Sequence, residues 1–203
     1  MIFSLNFSRI FSFAKLPIFF FFLSAGIFNT SIIPALERKG IPSLLIFFVI
    51  MIGMIVQIIS FKFAGPYTEK KSPVKATIGG LILRAIGFGA LGIFAYFFTG
   101  LWFLIPVLIF YPLSAGLAYS IYYTASNTLI FNTLSPRRNG AHLGVYSALV
   151  GIATMVGSFA SGFLSFYLGF YVTFLTSAIF LGISVILLSK MGNWQINSST
   201  GHT

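Results

Sequence analysis

At 203 residues the chain has the length of one soluble domain, but 58% of it is hydrophobic, 7% is charged and its mean hydropathy is +1.00. So few charges cannot cover a water-facing surface, which excludes an ordinary soluble protein and points to lipid as the solvent. The net charge of +10 does not read as a nucleic-acid interface, because the basic residues lie between apolar runs, and the lack of cysteine excludes disulfides, thiolate metal sites and thiol catalysis.

Six apolar stretches follow one another along the chain. They run near Leu16–Ala35, Ser43–Ala64, Ala76–Phe98, Leu101–Asn127, Leu143–Phe166 and Phe170–Ser189. A spanning helix needs roughly 20 apolar residues, so six of them nearly exhaust the chain. An uninterrupted helix closes its own backbone hydrogen bonds, as lipid demands. The expected organisation is a cytoplasmic N-terminal segment over 1–15, a six-helix transmembrane domain over 16–189 and a disordered cytoplasmic tail over 190–203. Arg9 and Lys15 precede an apolar run as they would in a signal peptide. That run is long enough to span and five more follow, so it reads as the first helix.

Basic residues set the orientation. With the N-terminus in the cytoplasm, nine lie inside (Arg9, Lys15, Lys62, Lys70, Lys71, Lys75, Arg137, Arg138, Lys190) and two outside, Arg38 and Lys39. This asymmetry predicts a multi-pass plasma-membrane protein with both termini cytoplasmic.

After the second stretch the chain reads Gly65-Pro66-Tyr67-Thr68-Glu69-Lys70-Lys71-Ser72-Pro73. Gly65 and Pro66 are expected to end the helix. Glu69, one of two acids in the chain, sits among lysines, with which it can pair. The segment resembles a weakened copy of the major facilitator superfamily loop pattern G-x-L-A-D-R-x-G-R-K. Gly65 matches the first glycine, Glu69 the acid and Lys70 the base after it. Ser72 and Pro73 replace the later glycine and arginine. Read without the family, the loop is a basic cytoplasmic turn. From Ala115 a helix rich in small residues leads to Ser135-Pro136-Arg137-Arg138, Gly140 and then Gly144-Val145-Tyr146-Ser147. This order is similar to the junction of helices 10 and 11 in many facilitators. The resemblance covers nearly the whole chain and is to a C-terminal half. It implies an all-α membrane fold of two inverted three-helix repeats, with helices 1, 2, 4 and 5 around a cavity and helices 3 and 6 behind.

The fifth stretch carries Ala153, Gly157, Ser161 and Ser165 at every fourth position. That stripe reads as a helix-packing face, as do the glycines of the third stretch. Polar side chains inside the spans are the candidates for solute contact, because hydrocarbon penalises them. The larger ones fall in the first, second and fourth stretches: Asn29, Gln57, Tyr111, Tyr119, Tyr123 and Asn127. Some tyrosines near Tyr122 read equally as interface anchors. The sixth stretch holds only Ser and Thr, which can bond back to their own helix. Arg84, about eight residues from the cytoplasmic end of the third stretch, is expected to snorkel out of the bilayer.

Absences narrow the chemistry. There is no Asp, and Glu37, Glu69, His142 and His202 all lie at loops or in the tail. A membrane hydrolase or metalloenzyme is disfavoured, and no cofactor or metal is expected. If transport is proton-coupled, the titrating group belongs to a partner half. The expected function is alternating-access transport of a small solute by one facilitator half, completed by a second half or a dimer partner. The lack of a central charge suits a neutral or amphipathic solute. A homo-oligomeric six-helix channel, or a non-transporting membrane protein or inactive fragment, is the alternative.

Overall fold

Long apolar runs in lipid favour a helix, which closes its own backbone hydrogen bonds, and in the computed structural model all six spans are helical. The structure describes the backbone at residues 2–133 and 139–200, and side-chain surroundings at 16–131, 140 and 143–190. Among these residues there is no strand. The elements are α1 (Ile2–Arg38), α2 (Ser43–Lys71), α3 (Pro73–Phe97), a 3-10 turn (Gly100–Phe103), α4 (Leu104–Tyr111), a π-helical segment (Pro112–Ala118), α5 (Tyr119–Thr133), α6 (Asn139–Tyr167) and α7 (Phe170–Thr200). Six spans are long and apolar enough to cross a membrane, the fourth being Gly100–Phe131. That span is composite: the π segment opens at Pro112, whose missing N–H breaks the helical ladder. The two terminal helices, α1 and α7, extend past their apolar runs in either direction along the chain.

The packing repeats itself. The first span packs on α6 and α7, the fourth on α2 and α3, and α3 packs on α7. Exchanging spans one, two and three for four, five and six maps the pairs of the first span onto those of the fourth and the α3–α7 pair onto itself. Successive spans run in opposite directions, so spans three apart are antiparallel. The bundle is therefore two inverted three-helix repeats. α3 and α7 lie together behind the first and fourth spans, and α2 and α6 flank them as the least enclosed helices.

The equivalent crossings use the same device. Where α1 meets α6, a Cβ on Gly26 would stand 2.5 Å from the Thr154 carbonyl oxygen, and one on Gly157 would strike that of Leu23. Where α2 meets the π segment, a Cβ on Gly116 would stand 2.9 Å from the Gly53 carbonyl oxygen. Backbones this close gain dispersion contacts, the main attraction left once solvent is lipid. Ala153 and Ser161 are buried on the same face as Gly157, and the Ser161 hydroxyl pairs with that of Ser31.

Serines close the seam between α1 and α7. The Ser24 hydroxyl reaches the Ser177 carbonyl at 2.8 Å, the Ser177 hydroxyl reaches the Ser24 carbonyl at 2.8 Å, and the Ser184 hydroxyl reaches the Pro17 carbonyl at 2.8 Å. The sixth span's hydroxyls can bond back to their own helix, as the sequence suggests. Thr173 and Ser189 do so, but Ser177 and Ser184 cross to α1.

The expected helix end at Gly65-Pro66 is corrected. α2 continues to Lys71. A proline forfeits one helical bond, and a downstream hydroxyl, that of Thr68, donates to the Ala64 carbonyl at 2.7 Å within the same turn. The true stop is Pro73, the first residue of α3, which bars the residue before it from helical backbone. Ser72 takes φ 74°, ψ 145°, a backbone that glycine adopts freely and serine does not.

Candidate functional site

The fourth span supplies a ladder of tyrosines facing the first and second spans. Tyr111 is half-buried, its ring packed over Gly53 of α2 and 6.4 Å from that of Phe28 on α1. Tyr119 is half-buried and stacks at 5.7 Å on Tyr123, which is exposed and meets Phe61 of α2 edge-on at 6.0 Å. The helical period puts Tyr119 and Tyr123 on one face. Gln57 is half-buried on α2, and its backbone carbonyl accepts the Ser120 hydroxyl at 3.0 Å. Asn127 is half-buried further along α5.

Asn29 is exposed on α1 beside Thr30, whose hydroxyl donates to that of Ser158 on α6 at 2.9 Å. The six candidates do not close into one cluster. Tyr111 and Tyr123 are twelve residues apart, about 18 Å along a helix. Tyr119 and Tyr123 form a strip beside Gln57 of α2, and Asn29, Tyr111 and Asn127 lie elsewhere on the first and fourth spans.

Beneath the strip lies an aromatic layer that sequence reading missed. Phe21 stacks on Tyr122 with centroids 3.6 Å apart, and Phe28 stacks on Phe88 at the same separation. Tyr122 is thereby a buried core ring, not an interface anchor. Their signal in the sequence was weak, since 26 phenylalanines make no single one conspicuous.

Arg84 sits in this layer and does not snorkel. It is 2% exposed. α3 begins at Pro73, so Arg84 is eleven residues in, about 16 Å from that end, beyond what one side chain can cover. The start of α3, three residues earlier than the apolar run suggests, was the missing datum.

The loop residues occupy the opposite ends of the spans. Glu69 and Lys70 are exposed on the last turn of α2, and Gly65 lies one turn earlier. Arg137 and Arg138 lie outside the described residues. At the other end Lys39 caps α3: its ammonium donates to the Ala95 carbonyl at 2.7 Å and to that of Phe98, and lies 5.0 Å over the Phe103 ring. Burial pushes this ammonium below the ordinary lysine range. A cavity of about 550 Å³ opens beside it, lined by Arg38, Thr99, Ser165, Phe170 and Tyr171 among others. It lies at the loop ends of α1, α3, α6 and α7, away from the tyrosine strip.

No group of three metal-ligating side chains exists among the described residues. What remains is a polar strip on the second and fourth spans, backed by aromatic rings and flanked by two bare helices. The sequence from 16 to 192 matches the family model described as Major Facilitator Superfamily. The chain belongs to the major facilitator superfamily. No curated protein matches it. As a superfamily member it is a multi-pass membrane protein of a transporter family, and its six spans are those of a solute-transport fold. The serine at position 72 fits the family pattern better than its identity suggests. It stands where the pattern has glycine, and it keeps the backbone a glycine would supply.

Proposed function

We propose that the chain moves a small solute across the plasma membrane by alternating access, as one half of a facilitator that rocks against a second six-helix half. The second half is a further stretch of the same polypeptide, another polypeptide or a second copy of this chain. The observation that carries this reading is the pairing of the spans. The first and fourth spans have partners on their inner side, while α2 and α6 keep exposed apolar rows, including Phe47, Met54, Ile58, Met155, Phe159 and Phe163. Facilitators bind solute near the midplane, between two such halves. Asn29, Gln57, Tyr111, Tyr119, Tyr123 and Asn127 contribute to the surface that solute meets.

Both termini and the loops around Lys70 and Arg137 face the cytoplasm in this reading, supported by nine basic residues there against two opposite. Ala153, Gly157 and Ser161 serve packing of α6 against α1 and do not touch solute. Lipid, the second half and the small-molecule solute are the partners, with no role for nucleic acid.

Counterflow separates this reading from a channel. Proteoliposomes loaded with unlabelled solute and diluted into labelled solute should accumulate label transiently, with a rate that saturates. Uptake that stays linear with concentration and shows no overshoot contradicts alternating access.

A further inference from the structure

Among the described residues Arg84 is the one cation that is fully buried, and it sits in the middle of a helix. It is eleven residues from Pro73 and thirteen from Phe97. Its guanidinium carbon lies 4.9 Å from the ring centroid of Phe88, 5.1 Å from Phe21 and 5.2 Å from Tyr119. Ring faces attract the charge, yet they accept no N–H bond along the guanidinium plane. The buried Nε and Nη1 have no hydrogen-bond partner.

No carboxylate lies in the chain's interior to serve as the acceptor. There is no Asp, Glu37 lies at the end of α1 and Glu69 at the end of α2. Nor can the arginine shed its charge to ease the burial, since guanidinium stays protonated in proteins. A permanent cation thus has its aromatic surround in place and its oxyanion absent.

The cage is one ring from the open strip. Tyr119 touches the guanidinium on one side and stacks on exposed Tyr123 on the other. The π segment borders α3 one turn further along, where a Cβ on Gly87 would stand 2.6 Å from that of Ser114. π-helical turns often mark functional sites, because their ladder is already loosened.

We propose that Arg84, caged by Phe21, Phe88 and Tyr119, anchors the carboxylate of a small organic anion with an apolar, flat body. The anion enters past Tyr119, its carboxylate taking the guanidinium N–H groups and its body lying among the rings. This deepens the transport reading and rests on it for the solute's passage, but binding needs no turnover. Of the neutral or amphipathic solutes expected from sequence, it selects an amphipathic anion.

The test uses the full chain in lipid nanodiscs, with benzoate as probe and benzyl alcohol as its neutral counterpart. Benzoate should bind the wild type saturably and raise its thermal midpoint, and benzyl alcohol should do neither. Arg84→Met should melt no lower than wild type without ligand, because it removes a buried charge that lacks a counter-ion. Its benzoate affinity should fall by about tenfold or more. Arg84→Lys, which keeps the charge, should retain part of the binding and serves if the Met variant does not fold. A wild type that ignores benzoate, or binds it no better than benzyl alcohol or than the variants, overturns the proposal. So does a Met variant that melts lower while its benzoate affinity is unchanged. Benzoate binding without counterflow would sink the transport reading and leave this one standing. Counterflow of other solutes without benzoate binding would do the reverse.

Discussion

Ser72 holds a φ of 74° with a side chain that disfavours it. A non-glycine residue in such a region costs about 1–3 kcal/mol. Ser72→Gly should therefore raise stability by about 1–2 kcal/mol, readable as a higher thermal midpoint in detergent, with no change in helix content. A fall in stability would mean that the serine side chain makes a contact worth more than the strain. Lys39 makes a prediction in pH. Burial disfavours its charged form, so the folded chain holds that proton less tightly than the unfolded chain. The unfolded state then binds more protons between the depressed folded value and the ordinary 10.5, and stability rises with pH through that window. The thermal midpoint should climb as pH approaches 10.5, and Lys39→Met should flatten the climb. These two residues were legible in different degrees. The family pattern marks position 72 as a glycine site. Nothing in the sequence says that Lys39, a residue of the turn after α1, reaches the end of α3.

Helices were legible because lipid leaves a hydrophobic chain so few backbones, and the six apolar runs fell where the spans lie. Their ends were less so. Gly65 and Pro66 look like a stop, yet α2 passes through them to the real stop at Pro73. The three-residue error at the start of α3 was enough to misplace Arg84, since snorkelling depends on distance from the helix end. The π segment was illegible because Pro112 permits either a kink or a widened turn, and packing against Gly53 and Gly87 chooses. The small-residue stripe on the fifth span was visible as periodicity, whereas the close approach at Gly116, in the equivalent crossing, was not. Their equivalence can be tested. Gly157→Leu and Gly116→Leu each force a side chain into a neighbouring backbone, and each should cost about 1–3 kcal/mol in reversible unfolding. Gly162→Leu, where a side chain meets open space, should cost far less. Equal losses at all three would show that the crossings are not close-packed.

At the scale of the molecule, the inverted repeat explains why one side of the bundle is finished and another is not. α3 and α7 pack on each other and on the first and fourth spans, while α2 and α6 have partners on only one side. Composition showed that lipid surrounds the chain, but an apolar face against lipid and one against a second half carry the same residues. The strip of tyrosines therefore gains its meaning from what covers α2 and α6. Benzoylphenylalanine placed singly at Ile58 of α2, Phe159 of α6, Ile86 of α3 and Ile179 of α7 probes four exposed apolar sites with the same chemistry. On illumination in native membranes, the α2 and α6 positions should crosslink to a second six-helix half, on the same polypeptide or another, and the α3 and α7 positions should crosslink to none. Capture from α3 and α7 alone, or from no position at all, would contradict the account of this chain as one half of a two-half transporter.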